Sequence, residues 1–436
     1  KWHQDGVRLT SKEKKSIIES LSEKRYFLSK FTSQSLVLIQ EANPLVLTIL
    51  FLDALDKKLC PILLSPNYTT YQCEKILGNT NAAGYILSNK LLYLHKKSIN
   101  YKNCYGVITS GTTGTPKLYY LPINGVFKIA ESHANSLDIK KKSTLVQALP
   151  VYHSFGIMTY IFTAMIKGCG IDFYKQQFDI SNIDNADYNH GILYLSPSLA
   201  QLYCLRKINP KSKISSVSVG GGLIDLKTML ALQKFFPKAD MFVTYGLTEA
   251  GPRLTTNKLS KNSKNYSIGK PLDGTKICIF DNKTNTFQKT GYGILSFKSP
   301  AAAINLGKRN KNEYFKTRDY VKIDKNREII FYSREEDIIN IGGVSVYCKD
   351  IESVAQEMGG VSDSFVYSEK NTVYGEIPIL AIEGNVSVVD VFKFLKDKLM
   401  PIQMPKKIYI LKKFDRSSLL KVDRDKLKHK IKKIDK

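Results

Sequence analysis

Apolar positions in the first hundred residues fall into short continuous runs with longer helical stretches between them. Residues 36–40 (LVLIQ) and 60–64 (CPILL) have the length and composition of strands buried on both faces. The intervening 44–55 (PLVLTILFLDAL) opens on proline and runs for three turns, predicting a helix. Residues 71–77 predict a short helix and 83–87 a further strand. This order predicts a largely parallel sheet covered by helices.

The alternation continues. Residues 105–108 and 118–121 read as strands, 126–137 as a helix, 144–148 as a strand and 157–166 as a buried apolar helix. Strands follow at 192–195, 217–219 and 241–244, with an amphipathic helix at 226–236 ended by Pro237. From 268 to 332 strands shorten and turns multiply, as at Asp281-Asn282, Thr290-Gly291 and Asp324-Lys325-Asn326, predicting a small β-rich subdomain. Beyond Arg334 the pattern is α+β, with Val388, Phe392, Leu395 and Leu399 at helical spacing before Pro401. The expected fold class is α/β: an N-terminal domain over 1–335, its β-rich part about 268–335, and an α+β C-terminal domain over 336–436.

With 436 residues the chain has room for two or more domains. No run of 18 apolar residues is present, so no membrane span is expected. Seven cysteines form no CxxC pair, which fits reduced thiols in a cytoplasmic protein, not a disulfide frame or zinc site. The net charge of +26 fits a Lys-rich bias spread over solvated faces, and no nucleic-acid partner is expected. The charge is densest over 393–436.

Between the strand-like runs at 105–108 and 118–121 lies Thr109–Lys117, TSGTTGTPK. Gly111 and Gly114 let backbone N–H groups approach an anion, Ser110, Thr112, Thr113 and Thr115 add hydroxyls, and Lys117 adds a cation. The spacing is not that of a Walker A loop, since Pro116 precedes the lysine and Leu118 follows it. Residue chemistry alone leaves two readings: a polyphosphate cradle, or a Ser/Thr/Gly-rich turn between strands.

TSGTTGTPK resembles the phosphate-loop signature of the adenylate-forming superfamily, which comprises acyl- and aryl-CoA synthetases, peptide-synthetase adenylation domains and luciferases. Six further segments are similar to that family's motifs, in its order. They are Pro150-Val151-Tyr152-His153-Ser154-Phe155-Gly156, Gly220-Gly221-Gly222, Tyr245-Gly246-Leu247-Thr248-Glu249, Thr317-Arg318-Asp319, Ser333-Arg334-Glu335-Glu336-Asp337 and Leu420-Lys421-Val422-Asp423-Arg424. The resemblance implies that a carboxylate attacks the α-phosphorus of ATP to give an acyl-adenylate and pyrophosphate, and that a thiol then displaces AMP. It assigns Thr109, Ser110, Gly111, Thr112, Thr113, Gly114 and Lys117 to the β- and γ-phosphates. Glu249 becomes the Mg²⁺ ligand and Thr248 an α-phosphate donor. Tyr245 stacks on adenine beside Gly246, with Gly221 and Gly222 on the adenine side. Asp319 accepts the ribose hydroxyls, Arg334 and Glu336 mark the hinge of a mobile C-terminal domain, Lys421 bridges the carboxylate and α-phosphate, and His153 gates the acyl pocket. Arg318, Ser333 and Leu420 replace glycines of the family pattern.

The segment 151–156 carries no acid to hold an amino acid's α-amine, so the resemblance implies a simple aryl or fatty acid, with Phe155, Tyr194, Ser196, Ser198 and the 220–222 turn as pocket walls. The expected acceptor is the thiol of CoA or of a carrier protein's phosphopantetheine, and the basic 393–436 tail would attract either. Two alternatives stand beside this ligase reading: an adenylate-forming enzyme with a non-thiol acceptor, and a catalytically impaired nucleotide- or acyl-binding homologue.

Overall fold

The computed structural model describes residues 2–4, 7–80, 82–87, 90–94, 102–109, 117–174, 183, 188–205, 213–260, 263, 266–306, 314–342, 344–416 and 422–434. They form two compact units. One comprises Lys1–Ile277, Ser296–Phe315 and Arg327–Ile330; the other comprises Cys278–Leu295, Lys316–Asn326 and Phe331–Lys436. Most strands of the β-rich stretch thus group with the C-terminal part of the chain, not along a 335/336 boundary.

The first unit holds two sheets. In one, Leu36–Gln40, Cys60–Leu64, Gly84–Leu87 and Cys104–Thr109 run parallel, as the alternation predicts. Antiparallel Lys90–Tyr93 and Lys117–Pro122 edge it. Helix Pro44–Asp56 starts where Asn43 Oδ1 accepts from the amides of Leu45 and Val46, with proline at the first helical position. It buries Leu45, Leu50, Phe51 and Ala54. In the second sheet Trp2–Gln4, Gly170–Phe173, Thr144–Val146, Gly191–Leu195, Ile214–Gly220 and Asp240–Tyr245 are parallel neighbours. Thr255–Lys258 and Ser267–Pro271 then continue it antiparallel.

Three local features differ from the sequence pattern. Strand Thr144–Val146 stops short of Ala148 because the Ala148 and Leu149 amides donate to Tyr160 Oη at 3.3 and 3.2 Å. The apolar helix is wound as a π turn over Ile157–Phe162, continuing as α-helix Thr163–Lys167 until Gly168 takes a left-handed φ of 61°. Helices Ser11–Ser20 and Ser22–Ser29 carry no strong apolar stripe; the first is set by a capping box between Thr10 and Glu13.

The second unit is built on a sheet of Val344–Tyr347, Ile338–Ile341, Gly375–Gly384 and Val361–Asn371, with Lys407–Leu411 parallel to Gly375–Gly384. Helices Cys348–Ala355 and Val388–Lys396 share one core with Ile339, Val366 and Leu380. Helix Arg424–Ile434 packs Leu427 and Ile431 against Phe365, Ile379 and Phe414 in another. The helix expected near 388–399 is present, but its buried stripe runs through Val391, Leu395 and Leu399, while Val388 and Phe392 are exposed. Strands Gly291–Lys298 and Phe315–Ile323 lie side by side.

Candidate active site

The strands on either side of the phosphate-loop segment pair with each other. Strands Cys104–Thr109 and Lys117–Pro122 pair antiparallel, with Thr109 directly opposite Lys117 where the loop leaves the sheet. Lys117 is exposed and Thr109 half-buried. Ser110, Gly111, Thr112, Thr113 and Gly114 lie outside the described residues.

The outgoing strand is tied to the turn that carries Glu249. Asn305 Oδ1 accepts from the Tyr120 amide at 3.0 Å, and Asn305 Nδ2 donates to the Leu118 carbonyl at 2.8 Å. In the same strap the Ile304 amide donates to the Tyr120 carbonyl and the Ala303 amide to the Glu249 carbonyl, both at 2.8 Å. Two glycines admit the strap. A Cβ on Gly125 would fall 1.9 Å from the Pro300 oxygen, and one on Gly251, at φ +86°, 2.2 Å from Ala301 Cβ. Asn305 had no local signature, since it acts 185 residues from its partner.

Strands Ile214–Gly220 and Asp240–Tyr245 end together, with Gly220 opposite Thr244. Ligands of open α/β sheets bind at such carboxyl ends. A side chain on Gly220 would lie 2.4 Å from Thr244 Oγ1; Gly221 takes a φ of +84° and Gly222 is exposed. After half-buried Tyr245 the chain turns back so tightly that a Cβ on Gly246 would meet the Pro252 oxygen at 1.8 Å. Within this turn Thr248–Ala250 forms a 3₁₀ turn beside strand Lys117–Pro122. Thr248 Oγ1 lies 3.0 Å from Ser154 Oγ, which brings the 150–156 segment to the same place. His153 precedes the short helix Ser154–Gly156, half-buried, its ring 4.6 Å from that of Tyr152.

The same turn carries a residue the motifs did not flag. Arg253 is 2% exposed, and its guanidinium lies 3.4 Å from the centre of the Phe155 ring. Burial pushes Arg253 down to about 9, and pushes nearby His133 well below its ordinary value, Arg253 adding to the effect. Among the expected pocket walls, Tyr194 is fully buried, and Ser196 Oγ is used as an N-cap by the Leu199 amide at 3.2 Å.

In the second unit Asp319 is buried in strand Phe315–Ile323, while Arg318 before it is exposed. Its amide donates to Thr317 Oγ1 at 3.0 Å, and that hydroxyl donates to the Leu295 carbonyl at 2.9 Å. Arg334 Nε lies 3.2 Å from Asp319 Oδ1, and its Nη1 lies 3.6 Å from Glu336. Lys421 lies outside the described residues, but the described residues on either side of 417–421 are held. Arg416 forms a bridge with Val422 and contacts Asp363 and Glu383 at 2.9 Å each. Arg424 makes a two-pronged ion pair with Asp337.

Glu249 is a half-buried carboxylate, and no group of three metal-ligating side chains occurs among the described residues. A site of few carboxylates suits Mg²⁺ carried in on nucleotide phosphates.

Residues 102–304 match the family model of the AMP-binding enzymes, a span that includes the hairpin, the 245–254 turn and the strap. This part of the chain is similar to the AMP-binding enzymes. Relatives in sequence include a 2-succinylbenzoate–CoA ligase of Bacillus subtilis (strain 168), 26% identical over 333 residues, which are 73% of this chain and 67% of that protein. Another of the same name from Staphylococcus aureus (strain Newman) is 24% identical over 377 residues, covering 81% and 74%. In fold, the chain is similar to ATP-bound MatB from Rhodopseudomonas palustris, with a TM-score of 0.84, 18% identity and coverage of 100% and 96%. Bacillus subtilis O-succinylbenzoate coenzyme A synthetase (MenE), in complex with ATP and magnesium, gives 0.81 at 19% identity, covering 98% and 96%. These structures share the α/β architecture read from the alternation of strands and helices. No helix among the described residues is long and apolar enough to cross a membrane.

Proposed function

We propose that this chain is an ATP-dependent, AMP-forming acid–thiol ligase that activates an aryl or fatty carboxylic acid and transfers the acyl group to CoA. The observation that carries this reading is the strap. It fastens the strand leaving Thr109–Lys117 and the turn bearing Thr248 and Glu249 into one frame. In-line phosphoryl chemistry depends on such fixed positioning of charge-stabilising groups.

A carboxylate oxygen of the acid attacks the α-phosphorus, and the bond to pyrophosphate breaks. The Thr109–Lys117 loop holds the departing phosphates, and Thr248, oriented by Ser154, donates to the α-phosphate. When bound at Glu249, Mg²⁺ neutralises phosphate charge. Tyr245, Gly246, Gly221 and Gly222 receive adenine, and Asp319, steadied by Arg334, takes the ribose hydroxyls. Lys421 offsets charge between carboxylate and α-phosphate. In the second half the thiol sulfur attacks the acyl carbon, with His153 beside the acyl group, and AMP leaves.

CoA is the acceptor the named relatives use. A carrier-protein phosphopantetheine presents the same thiol, and the exposed lysines of helix Arg424–Ile434 offer an acidic carrier surface a partner of opposite charge. The test is acid-dependent thiol consumption with CoA and with a phosphopantetheinylated carrier protein in parallel. Thiol loss with either, accompanied by AMP and pyrophosphate, supports the reading; AMP release without thiol loss in both arms overturns the thiol acceptor.

A further inference from the structure

Among the described residues, the guanidinium of Arg253 is buried without a counter-ion. Its Nη1 donates to the Pro252 carbonyl at 3.3 Å, while Nε and Nη2 have no hydrogen-bond partner. No ion pair reaches it among the described residues. A buried arginine of purely structural use spends its fork on carboxylates or carbonyls, because an unpaired buried charge is strongly unfavourable. The Phe155 ring, 3.4 Å away, attracts the charge but leaves the edge donors unfilled.

The neighbouring polar groups are also unfilled. Tyr194 Oη, Ser218 Oγ and both ring nitrogens of His133 are buried without hydrogen-bond partners among the described residues. Tyr194 and Ser218 sit opposite each other on adjacent parallel strands, and the His133 and Tyr194 rings lie 5.8 Å apart. A guanidinium, a phenol, a hydroxyl and a neutral imidazole can all donate, and no carboxylate among the described residues pairs with them. That donor set fits an anion.

The place fits as well. Phe155 follows Ser154, whose hydroxyl meets Thr248, and its ring comes 3.4 Å from where a Gly220 side chain would begin. The half-buried ring thus stands between the glycine turn at the strand ends and the buried guanidinium. Rotation of one aromatic side chain would open the fork to the acyl part of a substrate held at Thr248.

We propose that Arg253 is a specificity residue that pairs with a second carboxylate on the acid substrate, so that the preferred acids are dicarboxylates with Phe155 as the displaceable cover. The proposal rests on the ligase reading above and narrows its substrate class.

The test measures kcat/KM in ATP–pyrophosphate exchange for matched acids that differ only at the distal group: glutarate and its monoamide, and 2-succinylbenzoate and its monoamide at the aryl carboxyl. In the wild type the dicarboxylate of at least one pair is expected to be favoured by about tenfold or more, the discrimination typical of a bidentate ion pair against a neutral isostere. Arg253→Met is expected to bring that ratio close to one, and Arg253→Lys, which keeps charge but loses the fork, to an intermediate value. Equal use of acid and monoamide by the wild type overturns the proposal while the ligase reading stands, and this arm decides even where Arg253→Met does not fold. A dicarboxylate preference retained in Arg253→Met also overturns it. Exchange with none of these acids, nor with aryl or fatty monocarboxylates, overturns both readings.

Discussion

Ser154 and Thr248 are 94 residues apart in sequence, yet their hydroxyls meet at 3.0 Å. A hydroxyl rotor has one proton to give, so its neighbour decides where it points. With Ser154 as partner, Thr248 can accept one hydrogen bond and aim its own proton at the α-phosphate. Ser154→Ala is expected to slow adenylation about fivefold, the equivalent of about 1 kcal/mol for one net hydrogen bond. Its melting temperature should stay within a degree or two of wild type. An unchanged rate in pyrophosphate exchange would remove Ser154 from this role.

Asn305 acts as a short surrogate strand for Leu118 and Tyr120. Asn305→Ala leaves a carbonyl and an amide without partners, at about 1–3 kcal/mol. The variant is expected to melt lower and to show a raised KM for ATP, because the phosphate-loop hairpin loses its tie to Glu249. Gly251→Ala acts on the same strap by backbone strain at φ +86° and a clash with Ala301, and is expected to cost about 2–4 kcal/mol. Gly78→Ala, with nothing within 4 Å of the new Cβ, serves as the control and should not destabilise. Equal melting temperatures for the two glycine variants would contradict the packing account of the strap.

Arg416, just before the segment that contains Lys421, is fixed by its bridge to Val422 and its contacts with Asp363 and Glu383. Arg416→Met should lower kcat for adenylation about ten- to hundredfold with little change in the KM for ATP, since misplacing a charge-stabilising group costs rate more than binding. A change in KM alone would count against that role.

Much of the scaffold was legible in the chain because it rests on local signals. Residues 36–40 and 60–64 are continuously apolar because those strands are buried on both faces. Pro44 after Asn43 marks a helix start by cap chemistry alone. The residues proposed for adenylation were read as ordered motifs. What stayed hidden depends on distant partners. Asn305 reads as an ordinary polar residue until its two bonds to the hairpin are seen, and Arg253 reads as one more cation in a basic chain until its burial is seen. Val388 and Phe392 share helical spacing with Leu395, but the sheet beneath takes Val391 and Leu395, a choice the helix alone does not dictate. The π turn at Ile157–Phe162 leaves no mark on apolar periodicity.

Glu352 gives a pH signature for the second unit. Burial pushes its carboxyl above the ordinary value of 4.5, against the opposing charge of Lys349 and the Val366 amide that it accepts at 2.9 Å. Between the unfolded value and the raised folded value the native protein holds more protons than the unfolded chain, so stability falls as pH rises through that window. Glu352→Gln abolishes this slope. The melting temperature of the variant relative to wild type should therefore rise from about pH 4 to about pH 7. A difference constant over that range would contradict the buried-carboxylate assignment.

In the proposed reaction this chain makes an acyl-adenylate with Lys421 as its charge-bridging residue. ATP–pyrophosphate exchange driven by a panel of aryl and fatty mono- and dicarboxylates, run side by side with wild type and Lys421→Ala, tests it most directly. Acid-dependent exchange is expected in the wild type, with a fall of about a hundredfold or more in the variant, in line with removal of a preorganised charge stabiliser. Acid-dependent exchange that survives undiminished in Lys421→Ala would contradict it.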